Sequence, residues 1–322
     1  MHKLVLVVAA ALMFAGDGPA ATAQTAYPNK PVRLLAGFPP GTAADITARL
    51  ASQKLSQALG QQFVVENRPG ASSTIAAEMV VRAPKDGYTL LIGSVANTIN
   101  ASLLKNLSYN FEKDLAPVVL LSTAPNILVV HPSLPVHSVQ ELIAYAKPRP
   151  GEIFYASSGN GTSPHLSGEL FNMMAGVKLA HVPYKGSSEA VTDVLSGRVP
   201  VTFSPVSTVL PHIKADKLRA LGTSGSTRTA SMPDLPTIAE SGLPGYETAL
   251  WFGMFAPADT PRDIVDRLAA VMKTALAGEM GEQLKAQGMD PAFKDPGQFR
   301  TLVHDETAKW SKVVAAAGIK ID

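Results

Sequence analysis

Two segments of this chain share one order of features: an apolar strand, a glycine-containing loop and the start of a helix. The first covers residues 32–45 and the second residues 153–164. A helix start carries unpaired backbone N–H groups and the positive end of the helix dipole, and glycine lets an oxyanion approach that backbone closely. Two such loops, far apart in the chain, indicate two domains that close on one acidic ligand.

The N-terminal segment has the features of a secretory signal peptide. Lys3 precedes an apolar run over residues 4–15, and small residues follow up to Ala23 in an A-x-A cleavage pattern. The alternative is a membrane anchor, but the run is shorter than the about 20 apolar residues that a spanning helix needs. We therefore predict an exported, periplasmic protein whose signal peptide, residues 1–23, is cleaved near Ala23.

The composition excludes several classes of protein. Charged residues make up 17% of the chain, below the usual quarter, and hydrophobic residues make up 46%, as in a globular protein. A formal charge of +2 without a block of Lys or Arg gives no basis for a nucleic-acid partner. The chain has no cysteine, which excludes disulfides, thiol catalysis and cysteine-ligated metals.

Short apolar strands alternate with helical stretches, which predicts an α/β fold with largely parallel sheets. The expected strands are residues 32–38, 63–66, 88–92, 153–156, 199–203 and 218–223, and the expected first helices are residues 43–58 and 72–83. A capping-box spacing predicts a further helix from Ser138. The tail from residue 261 is predicted to be mostly helical.

Two apolar runs are candidates for crossings between the domains. Residues 117–131 are long for one strand, and residues 249–256 follow a Pro- and Gly-rich stretch. We therefore expect domain 1 to comprise residues 24–124 and 252–322, and domain 2 to comprise residues 125–251. Two crossings make a hinge, and hinged lobes clamp ligands.

The glycine loops supply the first candidates for contact with a ligand. Thr42 and Asp45 stand at the spacing of a capping box, so they either cap the helix or bind ligand beside the loop amides. Ser163, which precedes a proline, is expected to be the N-cap of the second helix. That leaves Gly161 and Thr162 as the better contact candidates, because amides and a hydroxyl together hold a carboxylate without any cation.

Other candidates lie near the loops, and each has a structural alternative. His165 either approaches the cleft or packs inside, and Lys185 either reaches ligand or is a solvated surface lysine. Ser94 and Asn97 follow the end of a parallel strand, where open α/β sheets place ligands. Phe38 and Trp251 either line the apolar part of the pocket or belong to the core. The expected ligand-binding residues are Phe38, Gly41, Thr42, Ala43, Ala44, Asp45, Ser94, Asn97, Ser158, Asn160, Gly161, Thr162, Ser163, His165 and Lys185.

Enzyme motifs give little support to a catalytic function. The chain contains no G-x-S-x-G elbow, no glycine loop followed by G-K-[ST] and no H-E-x-x-H. The catalytic alternative is a secreted α/β hydrolase-like enzyme that uses Ser163 and His165, which would need a third group. An exported protein-interaction module is a third class, which clustered anion sites disfavour. We expect no cofactor and no metal site.

Six motifs in order along the chain resemble the Bug family of solute-binding proteins, which serve tripartite tricarboxylate transporters. The motifs are residues 37–41, 66–71, 86–91, 158–166, 182–186 and 255–261. The resemblance implies a two-lobed, type II-like periplasmic clamshell that captures a small organic carboxylate. It further implies delivery of that carboxylate to a membrane permease. We expect the protein to have no enzymatic activity and to be a monomer.

Two departures from the family pattern concern the ligand. Family members often have more glycine in the first loop, where this chain has Thr42, Ala43 and Ala44, and the added Cβ atoms narrow the approach to the backbone. Pro200 stands where relatives often have an acidic residue. Aliphatic di- or tricarboxylates, acidic amino acids and aromatic carboxylates all remain compatible with the motifs.

Overall fold

The computed structural model describes residues 27–104 and 106–317. The predicted signal peptide, residues 1–23, lies outside the described residues. Within the described ranges, no helix combines the length and the apolar character needed to cross a membrane.

Ten strands and eleven α-helices alternate along these residues. The strands are β1 (Val32–Ala36), β2 (Phe63–Asn67), β3 (Thr89–Ser94), β4 (Leu115–Val130), β5 (Phe154–Ser157), β6 (Ala180–Pro183), β7 (Val201–Pro205), β8 (Arg219–Thr223), β9 (Ala249–Pro257) and β10 (Asp290–Lys294). The helices are α1 (Ala43–Leu59), α2 (Thr74–Val81), α3 (Val95–Leu103), α4 (Phe111–Asp114), α5 (Val139–Ala146), α6 (Ser163–Ala175), α7 (Ser187–Leu195), α8 (Val206–Lys214), α9 (Arg262–Leu276), α10 (Glu279–Ala286) and α11 (Pro296–Ala317).

The same strand–helix–strand–helix–strand unit occurs in both lobes of this α/β fold. In the first lobe, β1 lies between β2 and β3 and is parallel to both. In the second lobe, β5 lies between β6 and β7 and is parallel to both. The helices that connect these strands return the chain to the same end of the sheet, which is the reason for the parallel pairing.

The sheets are mixed rather than largely parallel, which corrects the expectation from the sequence. Strand β9 runs antiparallel to β3 and β4, and β4 runs antiparallel to β7, β8 and β10. Each antiparallel pair contains β4 or β9, which belong to neither strand–helix–strand–helix–strand unit. No crossover helix therefore sets the direction of these two strands. The tail also contains β10, a strand that the helical prediction missed.

Strand β4 belongs to both lobes. From Leu115 to Pro125 it pairs with β9, and from Asn126 to Val130 it pairs with β7. The long apolar run that suggested a crossing is therefore one continuous strand shared by the lobes. The exact limits of the two domains, residues 24–124 with 252–322 and residues 125–251, stay a prediction.

Helix α11 helps to hold the first lobe and its aromatic core together. Trp310 and Phe299 of this helix are buried, and Phe299 packs against Phe255 and, edge to face, against Trp251 with ring centroids 5.5 Å apart. Trp251 is 2% exposed and thus belongs to the core. Strands β3, β4 and β9 are buried on both faces over most of their length, so they are nearly continuous in apolar residues rather than alternating.

The close approach of α11 to β9 depends on Gly253. A Cβ atom at this position would overlap the Phe299 ring and lie 3.0 Å from the carbonyl oxygen of Val119. We expect Gly253→Ala to lower the free energy of unfolding by about 1–3 kcal/mol through overpacking. Urea denaturation of the variant and of the unmodified protein measures this difference in the free energy of unfolding.

The matched control for this substitution is Gly297→Ala, on the exposed first turn of α11. Its added methyl meets only ordinary contacts, and replacing an exposed helical glycine stabilises a helix by up to about 1 kcal/mol. An equal loss of stability in both variants would contradict the overpacking argument.

Candidate functional site

A cavity of about 490 Å³ lies between the two lobes. The predicted site residues that line it are Phe38, Thr42, Ala43, Ala44, Ser94, Ser158, Gly161, Thr162, Ser163 and Lys185. The predicted residues that lie outside the lining are Gly41, Asp45, Asn97, Asn160 and His165. The structure therefore brings both glycine loops to one cavity, while their roles toward a ligand stay a prediction.

Five helix starts meet at this cavity. Helices α1 and α3 come from the first lobe, and α6, α7 and α8 come from the second. Each start directs the positive end of a helix dipole and its unpaired amides toward the cavity. Among the described lining residues, Lys185 is the only one with a charged side chain. The site is therefore suited to an anion mainly through backbone groups.

The first loop uses its own side chains to fix its shape. The Thr42 hydroxyl donates to the carbonyl of Pro39 (2.8 Å) and accepts from the amide of Asp45 (3.4 Å). The amide of Gly41 donates to Oδ2 of Asp45 (2.9 Å). The amides of residues 43 and 44 donate to no acceptor among the described residues, so they are available to a ligand.

The Asp45 carboxylate fixes the shape of the first loop and lies outside the cavity lining. Asp45 is 2% exposed, and its carboxylate also accepts from Arg49 Nε (3.0 Å) and Asn67 Nδ2 (2.8 Å). Burial alone would raise the pKa of Asp45, but the hydrogen bonds from Arg49, the Gly41 amide and Asn67 outweigh it and hold that pKa below its usual value. Thr42 caps α1 by accepting from the amide of Asp45, whereas the role of either residue toward a ligand stays a prediction.

The second loop repeats the geometry of the first. The Thr162 hydroxyl donates to the carbonyl of Gly159 (2.7 Å), and the amide of Gly161 donates to Nδ1 of His165 (3.0 Å). Gly41 has φ +81° and Gly161 has φ +71°, a left-handed conformation that favours glycine. His165 thus does in the second loop what Asp45 does in the first.

The prediction that Ser163 is the N-cap of its helix is wrong. Thr162 is the N-cap, with φ −80° and ψ 160°, and Ser163 is the first residue of α6. Proline occurs here at the second helical position, where its missing N–H removes no helical bond. The Thr162 hydroxyl donates inside its own loop, so it is not the free donor that the sequence suggested.

His165 lies behind the second loop, away from the cavity lining. Its ring stacks on His181 with centroids 3.9 Å apart, and His181 Nε2 lies 2.6 Å from the hydroxyl of Ser157. Burial, with His181 beside it, lowers the pKa of His165 to about 3, and burial lowers the pKa of His181 to about 4. Both rings are therefore neutral at pH 7, and His165 Nδ1 is free to accept from Gly161.

Ser94 and Asn97 form the capping box of α3. The Asn97 carbonyl oxygen accepts from the amide of Ser94 (2.9 Å), and the Ser94 hydroxyl accepts from the amide of Ala96 (3.3 Å). Ser94 lines the cavity, whereas Asn97 faces inward and is 1% exposed. Ligands lie at the carboxyl ends of strands, and this rule identified the start of α3 as part of the site. It could not predict that Ser94 faces the cavity and Asn97 does not.

Sequence reasoning missed Ser72, Pro205, Leu250 and Phe252, which also line the cavity. Trp251 was considered as an apolar wall residue, but its neighbour Phe252 occupies that position. Successive side chains of a strand point to opposite faces, so a shift by one residue exchanges core and cavity. Pro205 is the last residue of β7, as Ser94 is of β3, and the carboxyl-end rule would have identified it.

Lys185 is exposed at the edge of the cavity, just before α7. Its backbone amide donates to Glu189 (3.2 Å), and no ion pair of its side chain occurs among the described residues. In the same residues, no group of three or more His, Cys, Asp or Glu side chains is placed to hold a metal ion.

The two buried histidines predict a pH-dependent stability. Unfolded histidine takes up a proton near pH 6.5, whereas folded His165 resists protonation down to its pKa of about 3. The unfolded state therefore binds more protons below pH 6.5, and the free energy of unfolding falls as the pH is lowered from 7 to 5. His165→Gln should reduce this slope, by at most about 1.4 kcal/mol per pH unit. Urea denaturation at several pH values measures it.

His304→Gln is the control for this experiment. His304 is exposed, and its hydrogen bond to Glu112 raises its pKa, so its contribution has the opposite sign and is screened by solvent. Its removal should not reduce the loss of stability at low pH. A slope unchanged by His165→Gln would contradict the assignment of a neutral, buried His165.

A family model and several known proteins match most of this chain. A family model described as "Tripartite tricarboxylate transporter family receptor" matches residues 47–319. Protein BugT of Bordetella pertussis is 36% identical over 324 residues, which cover 100% of this chain and 99% of that protein. R. palustris Rpa4515 with adipate is 39% identical, with a TM-score of 0.75 over 91% of this chain and 99% of that one. MatC from Rhodopseudomonas palustris with bound malate is 30% identical, with a TM-score of 0.71 over 89% of this chain and 100% of that one.

Proposed function

The chain belongs to the tripartite tricarboxylate transporter receptor family, and on this premise we propose that it is a periplasmic solute-binding protein for a small organic carboxylate. The carboxylate binds in the cavity between the lobes and leaves chemically unchanged. The protein then delivers it to the membrane permease of a tripartite tricarboxylate transporter. Export depends on the signal peptide proposed for residues 1–23.

The observation that carries this proposal is the meeting of helix starts from both lobes at one cavity. The free amides of residues 43 and 44 lie on the first-lobe side, and the start of α6 lies on the other. Asp45, the carboxylate nearest in sequence to the lining, is bonded within its loop and does not line the cavity. An anion therefore meets donors from two sides and no lining carboxylate among the described residues.

The cavity also has an apolar wall. Phe38, Leu250 and Phe252 line it alongside the polar loops. A ligand with a carboxylate and a short hydrocarbon portion would fit both kinds of surface, since the apolar part is removed from water on binding. Two structural neighbours are described with adipate and with malate, which are ligands of this chemical kind.

The geometry gives no support to the hydrolase alternative. A nucleophilic serine needs a base within hydrogen-bond distance. Nδ1 of His165 already accepts from Gly161, and the Ser163 hydroxyl is bonded to Asn126 and to no histidine among the described residues. The ring also lies outside the cavity lining.

Calorimetry with adipate and malate tests the proposed function. We expect at least one of them to bind the purified mature protein with a Kd on the order of micromolar, and the acid to be recovered unchanged. The dimethyl ester of the same acid is the control, because it keeps the carbon chain and removes the charge. Conversion of the acid, or equal affinity for acid and ester, would contradict the proposal.

The relative effects of two substitutions test whether backbone groups or a cation hold the carboxylate. Lys185→Ala should weaken binding less than about tenfold, because an exposed charge contributes little. Gly161→Val should weaken it more, because a branched side chain disfavours the left-handed backbone that aims the loop. Calorimetry with the same acid compares them.

Gly176→Val is the matched control for strain. Gly176 ends α6 with φ +63° and lies outside the cavity lining. The Gly176→Val variant should lose stability as the Gly161→Val variant does, but its affinity for the acid should not change. A larger loss of affinity in Lys185→Ala than in Gly161→Val would favour a cation mechanism and contradict the helix-start mechanism.

A further inference from the structure

Asn126 is a fully buried amide behind the second loop, and none of the sequence motifs contains it. It stands where β4 leaves β9 and begins to pair with β7. Its Nδ2 donates to the hydroxyl of Ser163 (2.8 Å) and to the hydroxyl of Ser167 (3.1 Å). Of these two serines, only Ser163 lines the cavity.

The hydrogen bonds of Ser167 match an Asn126 amide whose nitrogen faces the serines. The Ser167 hydroxyl donates to the carbonyl of Ser163 (2.8 Å), which can only accept, and lies 2.7 Å from the hydroxyl of Thr248, which can donate to it. With the amide nitrogen of Asn126 facing both serine hydroxyls, the Ser167 oxygen accepts from Asn126 and from Thr248, and its proton and both lone pairs are used. The Asn126 carbonyl oxygen is left buried and has no partner among the described residues. A buried unpaired acceptor costs free energy, which points to a role for this orientation beyond packing.

This orientation determines what Ser163 presents to the cavity. The Ser163 oxygen accepts from Asn126, so its hydroxyl proton is not used in that bond. No other acceptor for that proton occurs among the described residues. The proton is therefore available to a ligand oxygen, whereas the opposite amide orientation would take the proton and turn lone pairs toward the ligand.

We infer that Asn126 is a positioning residue that keeps the Ser163 hydroxyl a hydrogen-bond donor toward a carboxylate oxygen in the cavity. This inference rests on the proposed function. It adds a specificity element, because a site that donates at this position favours an ionised carboxylate over a ligand group that must itself donate.

The same residue connects the ligand loop to both crossings between the lobes. The backbone N–H of Asn126 donates to the hydroxyl of Ser224 (2.9 Å), and that hydroxyl donates to the backbone carbonyl of Thr248 (2.8 Å). Thr248 directly precedes β9, the strand of the second crossing. Asn126 is itself part of β4, so one hydrogen bond joins the first crossing to the Ser163 hydroxyl, and three hydrogen bonds join Thr248 to it.

A double-mutant cycle tests the inference, with calorimetry of adipate or malate, whichever binds the unmodified protein. Ser163→Ala should weaken binding roughly tenfold, the effect of losing one charge-assisted hydrogen bond. Asn126→Leu should weaken binding by a similar factor when Ser163 is present. In the Ser163→Ala background it should weaken binding less than about threefold, because Asn126 acts through that hydroxyl.

Thermal unfolding of the same variants separates positioning from structure. Asn126→Leu should change the unfolding temperature by a similar amount in both backgrounds, whereas its effect on affinity should depend on Ser163. Thr223→Val is the control: Thr223 pairs with Ile127, next to Asn126, and its buried hydroxyl has no partner within residues 27–104 and 106–317. This variant should leave affinity unchanged. If Asn126→Leu does not fold, Asn126→Ser takes its place in the cycle.

The outcomes distinguish the inference from the proposed function. Equal loss of affinity on Asn126→Leu in both backgrounds, with binding by the unmodified protein, would overturn the positioning role alone. If the unmodified protein bound neither adipate nor malate, the proposed function would fail as stated and the premise of the inference with it.

Discussion

The pairing of β4 with both lobes is the constraint on which the rest of the structure depends. Its first part forms a ladder with β9 and its second part with β7 and β8. Since one continuous strand belongs to both lobes, the two repeated units place the carboxyl ends of β1, β3, β5 and β7 around one cavity. The cavity is therefore a property of the complete chain, and neither repeated unit contains it alone.

The cavity is suited to an anion with almost no formal charge of its own. A buried cation would be costly in the empty protein, because nothing would compensate it once a ligand had left. Helix starts provide a positive potential from neutral groups, so binding and release both avoid an isolated buried ion. This arrangement fits a protein proposed to capture a carboxylate and then to deliver it.

The two glycine loops reach one geometry with different side chains. Each has a glycine with positive φ, a threonine that bonds back to a carbonyl, and an acceptor four residues after the glycine. The acceptor is an ionised carboxylate at Asp45 and a neutral imidazole at His165. What the loop requires at this position is a hydrogen-bond acceptor within reach, since both chemistries satisfy the glycine amide.

Local sequence was sufficient for strands β1, β2, β3, β5, β7 and β8, for the starts of α1 and α5 and for the two glycine loops, because periodicity, capping and positive φ act over a few residues. It also supported the α/β class and the family resemblance. The folded chain was needed to show that Thr42 and Thr162 bond within their own loops, that Phe252 rather than Trp251 faces the cavity, and that Asn126 lies behind Ser163. These features depend on contacts between segments far apart in sequence, such as the 37 residues that separate Asn126 from Ser163, and no local pattern encodes such a distance.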